Sequence, residues 1–206
     1  MARVERVLAD EALFRQGDPP EAIFVVLSGE FKATQVTPEG DRVVVRLVGP
    51  GDLAGHVSMF CNTPYPATPL AMTESIALAW THRDFTSLMA RHPALSLAVI
   101  RNMAQAIENA HTRLREAATE RVERRVAHAL LRLIKQSGHR IDGGIEISFP
   151  ITRHDIALMT GATLYTVSRI LSAWEEQGIV SGGRRHLVIR APHALMKIAE
   201  EEAPTK

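Results

Sequence analysis

The sequence predicts an α+β fold with an N-terminal double-stranded β-roll of the jelly-roll type, a long joining helix, and a C-terminal module of two short helices and a β-hairpin. Three observations support this prediction. Residues 11–80 contain short β-type runs separated by turn residues. Residues 94–137 carry a helical pattern without Gly or Pro. Residues 151–189 contain two short helical segments around a glycine, followed by two short β-type runs.

Composition and charge place limits on the class of protein. The 206 residues are 46% hydrophobic and 23% charged, which predicts a packed core rather than disorder. The formal net charge is only +1, but residues 1–112 hold 9 Lys and Arg against 12 Asp and Glu, whereas residues 113–190 hold 13 against 8. A basic later part beside an acidic earlier part predicts that only the later part meets a polyanion.

The cysteine content and the short length of the apolar runs indicate the cellular compartment of the protein. Cys61 is the single cysteine, which excludes an internal disulfide framework and fits a reducing cytoplasm. Glu5 and Asp10 interrupt the first residues, so we expect no signal peptide. No apolar run approaches the ~20 residues that a membrane-spanning helix needs. We therefore expect a cytoplasmic protein without a membrane partner.

The first part of the chain has the pattern of an all-β domain. Strands of about six residues with turns at regular spacing are typical of a β-sandwich or a barrel-like roll. The β-type runs are ALF, AIFVVL, FKATQV and RVVVRLV, and the turn residues between them are QGDPP, SGE and TPEGD. We place this roll at residues 1–92.

The joining helix carries an apolar repeat of seven residues. Its two rows are Ile100, Ile107 and Leu114, and Met103, Ala110 and Ala117. Such an a/d seam over about three heptads predicts that two helices pack together, so residues 93–118 are predicted to form a homodimer interface. The alternative is an amphipathic helix that lies on its own domain. The register of the apolar stripe changes near residues 118–120, where we expect a hinge.

Residues 151–178 predict two short helices. Thr152 and Asp155 have the spacing of a capping box, Gly161 supplies the turn, and the second helix begins near Thr163. Gly178 is predicted to end that helix in a left-handed conformation. The predicted buried stripe is Val167, Ile170, Leu171 and Trp174, and the predicted outer face is Tyr165, Ser168, Arg169 and Ser172. An exposed face of this composition suits the major groove of double-stranded DNA.

Residues 179–189 strengthen that interpretation. They predict two short strands around a Gly182-Gly183 turn, with Arg184, Arg185 and His186 at the tip, as phosphate contacts require. A hairpin of this kind after the second helix is a wing. A winged helix-turn-helix is therefore favoured over an ordinary helical hairpin with a solvated face, and we place this domain at residues 119–206.

The chain resembles the CRP/FNR family of bacterial transcription regulators. The matching C-terminal segments are ITRHDIA, Gly161, TVSRIL, WEEQGIV and VIRAPHAL, and those of the roll include FVVLSG and LVGPGDLAG. The resemblance implies a cyclic-nucleotide-binding-type roll and a homodimer on a near-palindromic DNA site, with RNA polymerase as a further candidate partner. It implies base reading by Leu164, Tyr165, Ser168 and Arg169. It implies phosphate contacts by Thr152, His154, Thr163, Thr166, Arg184, Arg185 and His186. Many members carry Arg or Val at the position of Leu164 and Glu at the position of Tyr165. The half-site sequence that is usual in the family is therefore not expected for this chain.

The same resemblance locates a candidate effector pocket. Members that bind cyclic AMP have a Gly-Glu pair after the PGD turn and an arginine about ten residues later, where this chain has Gly55-His56 and Pro66-Ala67. The helix residues that grip the base correspond to Ala110 and His111. A phosphate buried without an arginine partner would cost several kcal/mol. We therefore expect an unknown small effector other than cyclic AMP.

The same residues bear on other kinds of regulator and on an enzyme. An iron–sulfur cluster needs about four thiolates, so Cys61 alone excludes it. Haem sensing stays open, with His56, His82, His92 and His111 as candidate axial ligands, and so does a regulator that needs no ligand. An enzyme is not expected, because the chain has no H-E-x-x-H or P-loop motif and nothing orients a dyad of Cys61 and a histidine.

Overall fold

The computed structural model describes residues 1–200, and the chain divides into two compact units. The first unit comprises residues 1–112, and the second begins at Arg113. The sequence-based domain limits at residues 92 and 118 stay predictions. Among residues 1–200, no single helix is both long and apolar enough to cross a membrane. The helices at Arg153–Thr160 and Leu164–Glu176 meet that requirement only as a pair, bent by 116° at the break between them.

The first unit is built from β-strands followed by helices. Its elements are β1 (Arg3–Val7), β2 (Ile23–Ser28), β3 (Phe31–Val36), β4 (Arg42–Val48), β5 (Leu53–Ala54), α1 (His56–Cys61), β6 (Thr68–Ala71), β7 (Ser75–Trp80), α2 (His82–Arg91) and α3 (Pro93–Thr119), the last of which continues into the second unit.

Two antiparallel sheets form the predicted β-roll. One has the strand order β1-β7-β2-β5 and the other β4-β3-β6. Strands of both sheets contribute to one buried cluster that includes Phe24, Phe31 and Tyr65. A second cluster joins the roll to the helices through Ile23, Phe85 of α2 and Val99 of α3, with Met103 packed against it. The α+β class and the roll are thus as the sequence predicts.

The start of the roll differs from the sequence-based expectation. β1 was not predicted, and the predicted strand ALF at residues 12–14 contributes only an isolated bridge, from Ala12 to Leu70. The reason is that Phe14 is held by its side chain, since its ring stacks on that of Tyr65 with the centroids 3.9 Å apart. Gln16 then bonds Val36 through its side-chain amide, which donates to the carbonyl and accepts from the backbone amide.

The second unit contains four further helices and a small sheet. Its elements are α4 (Val122–Ser137), β8 (Gly138–Ile141), β9 (Gly144–Ile147), α5 (Arg153–Thr160), α6 (Leu164–Glu176), β10 (Val180–Gly183), β11 (His186–Ile189) and α7 (Pro192–Glu200).

The predicted wing belongs to a larger sheet than expected. The strand order is β10-β11-β9-β8, all antiparallel, so the hairpin β8–β9, which the sequence analysis did not predict, pairs with the wing. Helices α4 to α7 bury Leu130, Leu133, Ile156, Trp174 and Leu195. The core of this unit therefore supports both the helix pair and the wing.

The helical pattern of residues 94–137 is broken although it lacks Gly and Pro. α3 ends at Thr119 and α4 begins at Val122, with Arg121 in an extended conformation between them. Arg125 donates from Nη1 to the carbonyl of Glu120 at 3.1 Å, which satisfies one of the carbonyls that the break leaves without a helical partner. The break lies beside the predicted change of register.

Candidate DNA interface and effector cavity

The first helix of the pair, α5, begins with the predicted capping box. The Thr152 hydroxyl accepts from the Asp155 amide at 3.1 Å, and the Asp155 carboxylate accepts from the Thr152 amide at 3.0 Å. The same hydroxyl is 2.6 Å from Oδ2 of Asp155. Thr152, a predicted phosphate contact, therefore uses its hydroxyl inside the cap, whereas His154 in the first turn is exposed. Gly161 ends α5 with a φ of 63°, a left-handed conformation that residues with a side chain rarely adopt.

The geometry between α5 and α6 is that of a helix-turn-helix. Their 116° bend lies within the ~90–120° typical of the motif. Arg153 braces the pair, because Nη2 donates to both carboxylate oxygens of Glu175, at 3.0 and 2.8 Å, and Nη1 donates to the Ser172 hydroxyl at 3.0 Å. Sequence analysis missed this arginine. It placed Ser172 on the outer face, where the structure instead uses the hydroxyl as an acceptor for Arg153.

α6 is anchored by the apolar stripe that the sequence predicts. Val167, Leu171 and Trp174 are buried, while Ile170 is half-buried. The Trp174 indole donates from Nε1 to the Glu123 carboxylate of α4 at 3.3 Å. These contacts fix which face of α6 points outward.

The exposed face of α6 holds the predicted base-reading residues. Leu164, Tyr165 and Arg169 are exposed, Tyr165 to 72%, and Ser168 is half-buried. The Arg169 guanidinium lies over the Tyr165 ring. At the N-terminus, the hydroxyl of Thr163 accepts from the Thr166 amide at 3.2 Å and lies 2.9 Å from the Thr166 hydroxyl. The geometry therefore brings these predicted residues together on one surface.

The tip of the wing differs from the prediction. Gly182 and Gly183 lie in β10, so the predicted Gly-Gly turn is wrong, and the exposed turn is formed by Arg184 and Arg185. The reason is close packing between the strands, since a Cβ on Gly182 would lie 2.2 Å from the His186 carbonyl oxygen.

A side-chain network holds the wing against its neighbouring strands. His186 forms a short hydrogen bond through Nε2 to Glu146 of β9. The other carboxylate oxygen of Glu146 is 3.0 Å from Nε2 of His139 on β8. His186 therefore holds the wing to the sheet through Glu146.

The predicted dimer seam is exposed along α3. Ile100, Ile107 and Leu114 are each more than half exposed, and Ala110 and Ala117 are exposed as well. Met103 differs from the other seam residues, because it packs with Val99 against the core of its own roll. Met103 is half-buried there, and its place in the seam stays a prediction.

A cavity of about 150 Å³ lies in the roll at the predicted effector position. Gly55, His56, Pro66 and Ala67 all line it. Ala110 and His111, assigned by resemblance to the same pocket, are exposed on α3 and do not line this cavity. Their assignment to it is corrected, since Ala110 lies about two turns beyond Met103, which packs against the core of the roll.

The loop beside the cavity is held by Tyr65. Its hydroxyl accepts from the amides of Glu21 and Ala22, at 3.1 and 3.0 Å, and donates to the Ala22 carbonyl at 2.8 Å. Burial raises the pKa of the Tyr65 phenol, although the hydrogen bonds to the backbone of Ala22 and Glu21 act in the opposite direction. The phenol therefore stays protonated and keeps Pro66 and Ala67 against the cavity.

His56 is the buried titratable group of the cavity, with 6% of its surface exposed. Burial, and to a smaller extent the charge of Arg46, lowers its pKa to about 4, while the charge of Asp52 and a backbone hydrogen bond to Leu53 act in the opposite direction. The ring is therefore neutral near pH 7. His82, His92 and His111 are exposed and lie outside the cavity.

Arg46 also lines the cavity, although sequence analysis did not select it. It is the charged residue inside the apolar run of β4, a signal that could have drawn attention to it. Within residues 1–200 no group of three or more His, Cys, Asp or Glu side chains is arranged to hold a metal ion. Cys61 is exposed.

Comparisons with known proteins agree with both units. The cyclic nucleotide-binding domain family matches residues 4–92, and the Crp-like helix-turn-helix domain family matches residues 124–198. The cyclic AMP receptor protein of Thermus thermophilus is 30% identical over 187 residues, which cover 91% of this chain and 83% of that protein.

Solved structures show the same fold over nearly the whole chain. FixK2 of Bradyrhizobium japonicum has a TM-score of 0.83 at 22% identity, covering 98% of this chain and 100% of its own. The c-di-GMP-responsive global regulator CLP of Xanthomonas campestris has a TM-score of 0.79 at 16% identity, covering 91% and 93%.

A β-roll in one unit and a helix-turn-helix with a basic wing in the other define a DNA-binding transcription regulator. The chain belongs to the CRP/FNR family of such regulators, whose matched members are bacterial. Its relatives and its fold are those of regulators and not of enzymes.

Proposed function

We propose that the chain acts as a homodimer that reads a near-palindromic DNA site and responds to a small effector other than cyclic AMP. The observation that carries the DNA-binding part is the exposed face of α6, where Arg169 and Tyr165 lie together above a buried apolar stripe. Arginine recognises guanine through two hydrogen bonds in the major groove. We place the protein in the cytoplasm, where its DNA partner is, with RNA polymerase as a candidate partner.

The dimer rests on the exposed seam of α3. Ile100, Ile107 and Leu114 recur every seven residues and expose apolar surface that pairing with a second copy would remove from water. A two-fold dimer presents two recognition helices about one DNA turn apart. The site is therefore expected to be a near-palindrome with half-sites at that spacing.

The contacts divide into two roles. Leu164, Tyr165, Ser168 and Arg169 read bases, since they lie on the outer face of α6. Positioning contacts to phosphates come from the exposed turn of the wing at Arg184 and Arg185 and from polar residues at the starts of α5 and α6, because such contacts fix orientation without reading sequence.

The effector argument rests on the cavity. Relatives differ here, since one is named a cyclic AMP receptor protein and another is described as responsive to c-di-GMP. In this chain a neutral His56 stands where the resemblance places a glutamate, and Pro66-Ala67 supply no charge. The volume of about 150 Å³ is also below the ~300 Å³ at which drug-sized ligand sites begin. These features support an effector smaller than a cyclic nucleotide.

Selection of bound DNA from a random pool, with sedimentation to determine the mass, tests the main proposal. We expect a dimer and a two-fold symmetric consensus. A monomer at working concentrations that recovers no consensus would contradict it. Titration with cyclic AMP should leave DNA affinity unchanged.

A haem sensor is the second candidate because His56 has an unpartnered Nδ1, although the cavity volume of about 150 Å³ argues against a group as large as haem. Absorbance of the purified protein in the Soret region tests it directly. A thermal shift screen that finds no stabilising small molecule would instead favour a regulator that works without a ligand.

A further inference from the structure

The effector cavity is apolar on most of its walls. Phe14, Val48, Leu53, Pro66 and Pro69 line it together with small residues. Its volume of about 150 Å³ matches an apolar protein cavity known to accept one benzene molecule. A ligand of this site must therefore be compact and must carry an apolar body.

His56 offers one unused polar atom to that ligand. Its Nδ1 is buried without a hydrogen-bond partner. A neutral imidazole has one N–H donor and one acceptor nitrogen, and its tautomer decides which of the two Nδ1 is. An unsatisfied buried polar atom destabilises the protein until a partner reaches it. The cavity thus provides a place for one hydroxyl, which can both donate and accept.

Arg46 offers a cation whose acceptor, a carboxylate oxygen of Asp52, is shared with a second donor. Its Nη2 lies 3.1 Å from Oδ1 of Asp52, and that same oxygen accepts from Nδ2 of Asn102 on α3, also at 3.1 Å. Oδ2 of Asp52 accepts from the Gly49 amide at 3.1 Å. Two donors therefore share one carboxylate oxygen, and the Asp52 carboxylate keeps three donors in total.

We propose that the cavity binds a compact monoanion with an apolar body, whose anionic group pairs with Arg46 and whose hydroxyl forms a hydrogen bond with Nδ1 of His56. This inference rests on the proposed function, because it assigns the effector class of the same sensing roll. The acid competes with Asp52 for Arg46. As Arg46 turns to the ligand, Oδ1 of Asp52 keeps Asn102 as its partner, and the hydrogen bond from roll to α3 shortens.

The electrostatics of the site agree with this ligand class. Arg46 is the charged residue among those that line the cavity, and its charge lowers the pKa of His56 more than that of Asp52 raises it. A positive potential in an apolar site favours an anion, and a charge-assisted hydrogen bond is stronger than a neutral one. The absence of any carboxylate among the lining residues removes a source of repulsion.

Binding of simple aromatic acids to the full-length chain tests the ligand class. The three hydroxybenzoate isomers carry an anion and a donor at three separations, benzoate lacks the donor, and phenol lacks the anion. Measured by calorimetry, the isomer that binds best is expected to have an affinity about tenfold or more above those of benzoate and phenol. One charge-assisted or buried hydrogen bond contributes a factor of this size. Equal binding of phenol and the acids would overturn the proposal, and so would no binding of any of the acids.

Variants assign the contacts. Arg46→Met should weaken the best acid about tenfold or more and leave phenol unchanged. Arg42→Met, an exposed change on the same strand, is the matched control. His56→Leu should remove the advantage of the hydroxyl over benzoate. An Arg46→Met protein that folds and binds the acid as the parent does would overturn the pairing, whatever happens to the His56 variant.

Asn102 tests the link to α3. The best acid is expected to change DNA affinity about fivefold or more, a typical coupling between sites. Asn102→Ala should still bind the acid but lose that change, whereas Gln105→Ala, an exposed change on α3, should keep it. Coupling that survives in Asn102→Ala refutes this link. A parent protein that selects a DNA palindrome yet binds no acid refutes the ligand class alone, whereas failure to select any DNA refutes the proposed function.

Discussion

The guanidinium carbon of Arg169 lies 5.8 Å from the centre of the Tyr165 ring, one turn earlier on α6. Residues four apart on a helix are neighbours on its surface, so the pair needs no distant support. A cation over an aromatic face at an exposed site contributes about 0.5–1 kcal/mol. Its main consequence is that the arginine, which is otherwise free to adopt many rotamers, is oriented before DNA arrives.

Tyr165→Ala should therefore weaken binding to the selected site through Arg169, by up to about 1 kcal/mol. Tyr165→Phe keeps the ring and should retain most of the affinity. Gel-shift titration of the selected DNA measures both. The outcome that contradicts the orienting role is a phenylalanine variant as weak as the alanine variant, which would instead assign the effect to the tyrosine hydroxyl.

Arg169→Ala should cost about 1–3 kcal/mol of discrimination at one guanine position. The physical reason is that the bidentate contact to guanine is lost while the other positions keep theirs. Binding to a set of sites with single base substitutions measures this. An equal loss at every position would show that Arg169 contacts phosphate and reads no base.

Arg184→Ala should weaken all sequences alike and reduce the slope of log affinity against log salt by about one. Arg184 lies in the exposed turn of the wing, where a phosphate contact releases counterions without reading bases. Affinity for the selected and a scrambled duplex, measured over a range of salt concentrations, separates the two roles. A loss confined to the selected duplex would place Arg184 among the base-reading residues.

Local patterns in the sequence predicted the elements that depend on neighbours along the chain. The box of Thr152 and Asp155 and the stripe of α6 through Val167, Leu171 and Trp174 are examples, since caps and helical periodicity involve residues at most a few turns apart. The strands β3 and β4 were found for the same reason, because short β-type runs end at recognisable turns.

What sequence analysis missed depends on contacts across the fold. Arg153 reaches Glu175, 22 positions later, and Arg46 faces the cavity from the middle of a strand. No spacing pattern in the local sequence predicts the contact of Arg153 or the placement of Arg46. The Gly-Gly turn was misplaced because Gly182 serves close strand packing, while Ala110 and His111 were assigned by analogy and lie on an exposed part of α3.

An ion pair between a buried carboxylate and a half-buried arginine lies beside the helix break and provides a stability test. Glu116, near the end of α3, is 3% exposed, and both of its carboxylate oxygens accept from Nη1 of Arg132 on α4, at 2.6 and 2.9 Å. Arg132→Met should destabilise the second unit by about 2–3 kcal/mol, because it leaves a buried carboxylate without its partner. Urea unfolding followed by Trp174 fluorescence, with Trp80 replaced by phenylalanine, measures this.

The matched control is the double variant Glu116→Gln with Arg132→Met. It removes the buried charge together with its partner, so it should recover a large part of the stability lost by Arg132→Met alone. Additive losses in this cycle would show that the two side chains do not stabilise one another.

The roll should lose stability in acid because of His56. Its pKa in the folded protein is about 4, below the ordinary value of 6.5, so the unfolded chain binds the proton more readily. Above pH 6.5 the ring is neutral in both states and the full stability is present. As the pH falls from 6.5 to 4, the unfolded state takes up the proton first, and the free energy of unfolding decreases by about 3 kcal/mol.

Three variants isolate that effect. His56→Leu should remove this part of the pH dependence even if it changes the stability at pH 7, and Arg46→Met should reduce it, because the arginine charge helps to lower the pKa of His56. His82→Gln, an exposed change, should leave it intact. The measurement is urea unfolding between pH 7 and pH 4, followed by Trp80 fluorescence with Trp174 replaced by phenylalanine. If the stability of His56→Leu falls with pH as steeply as that of the parent, groups other than His56 cause the acid sensitivity.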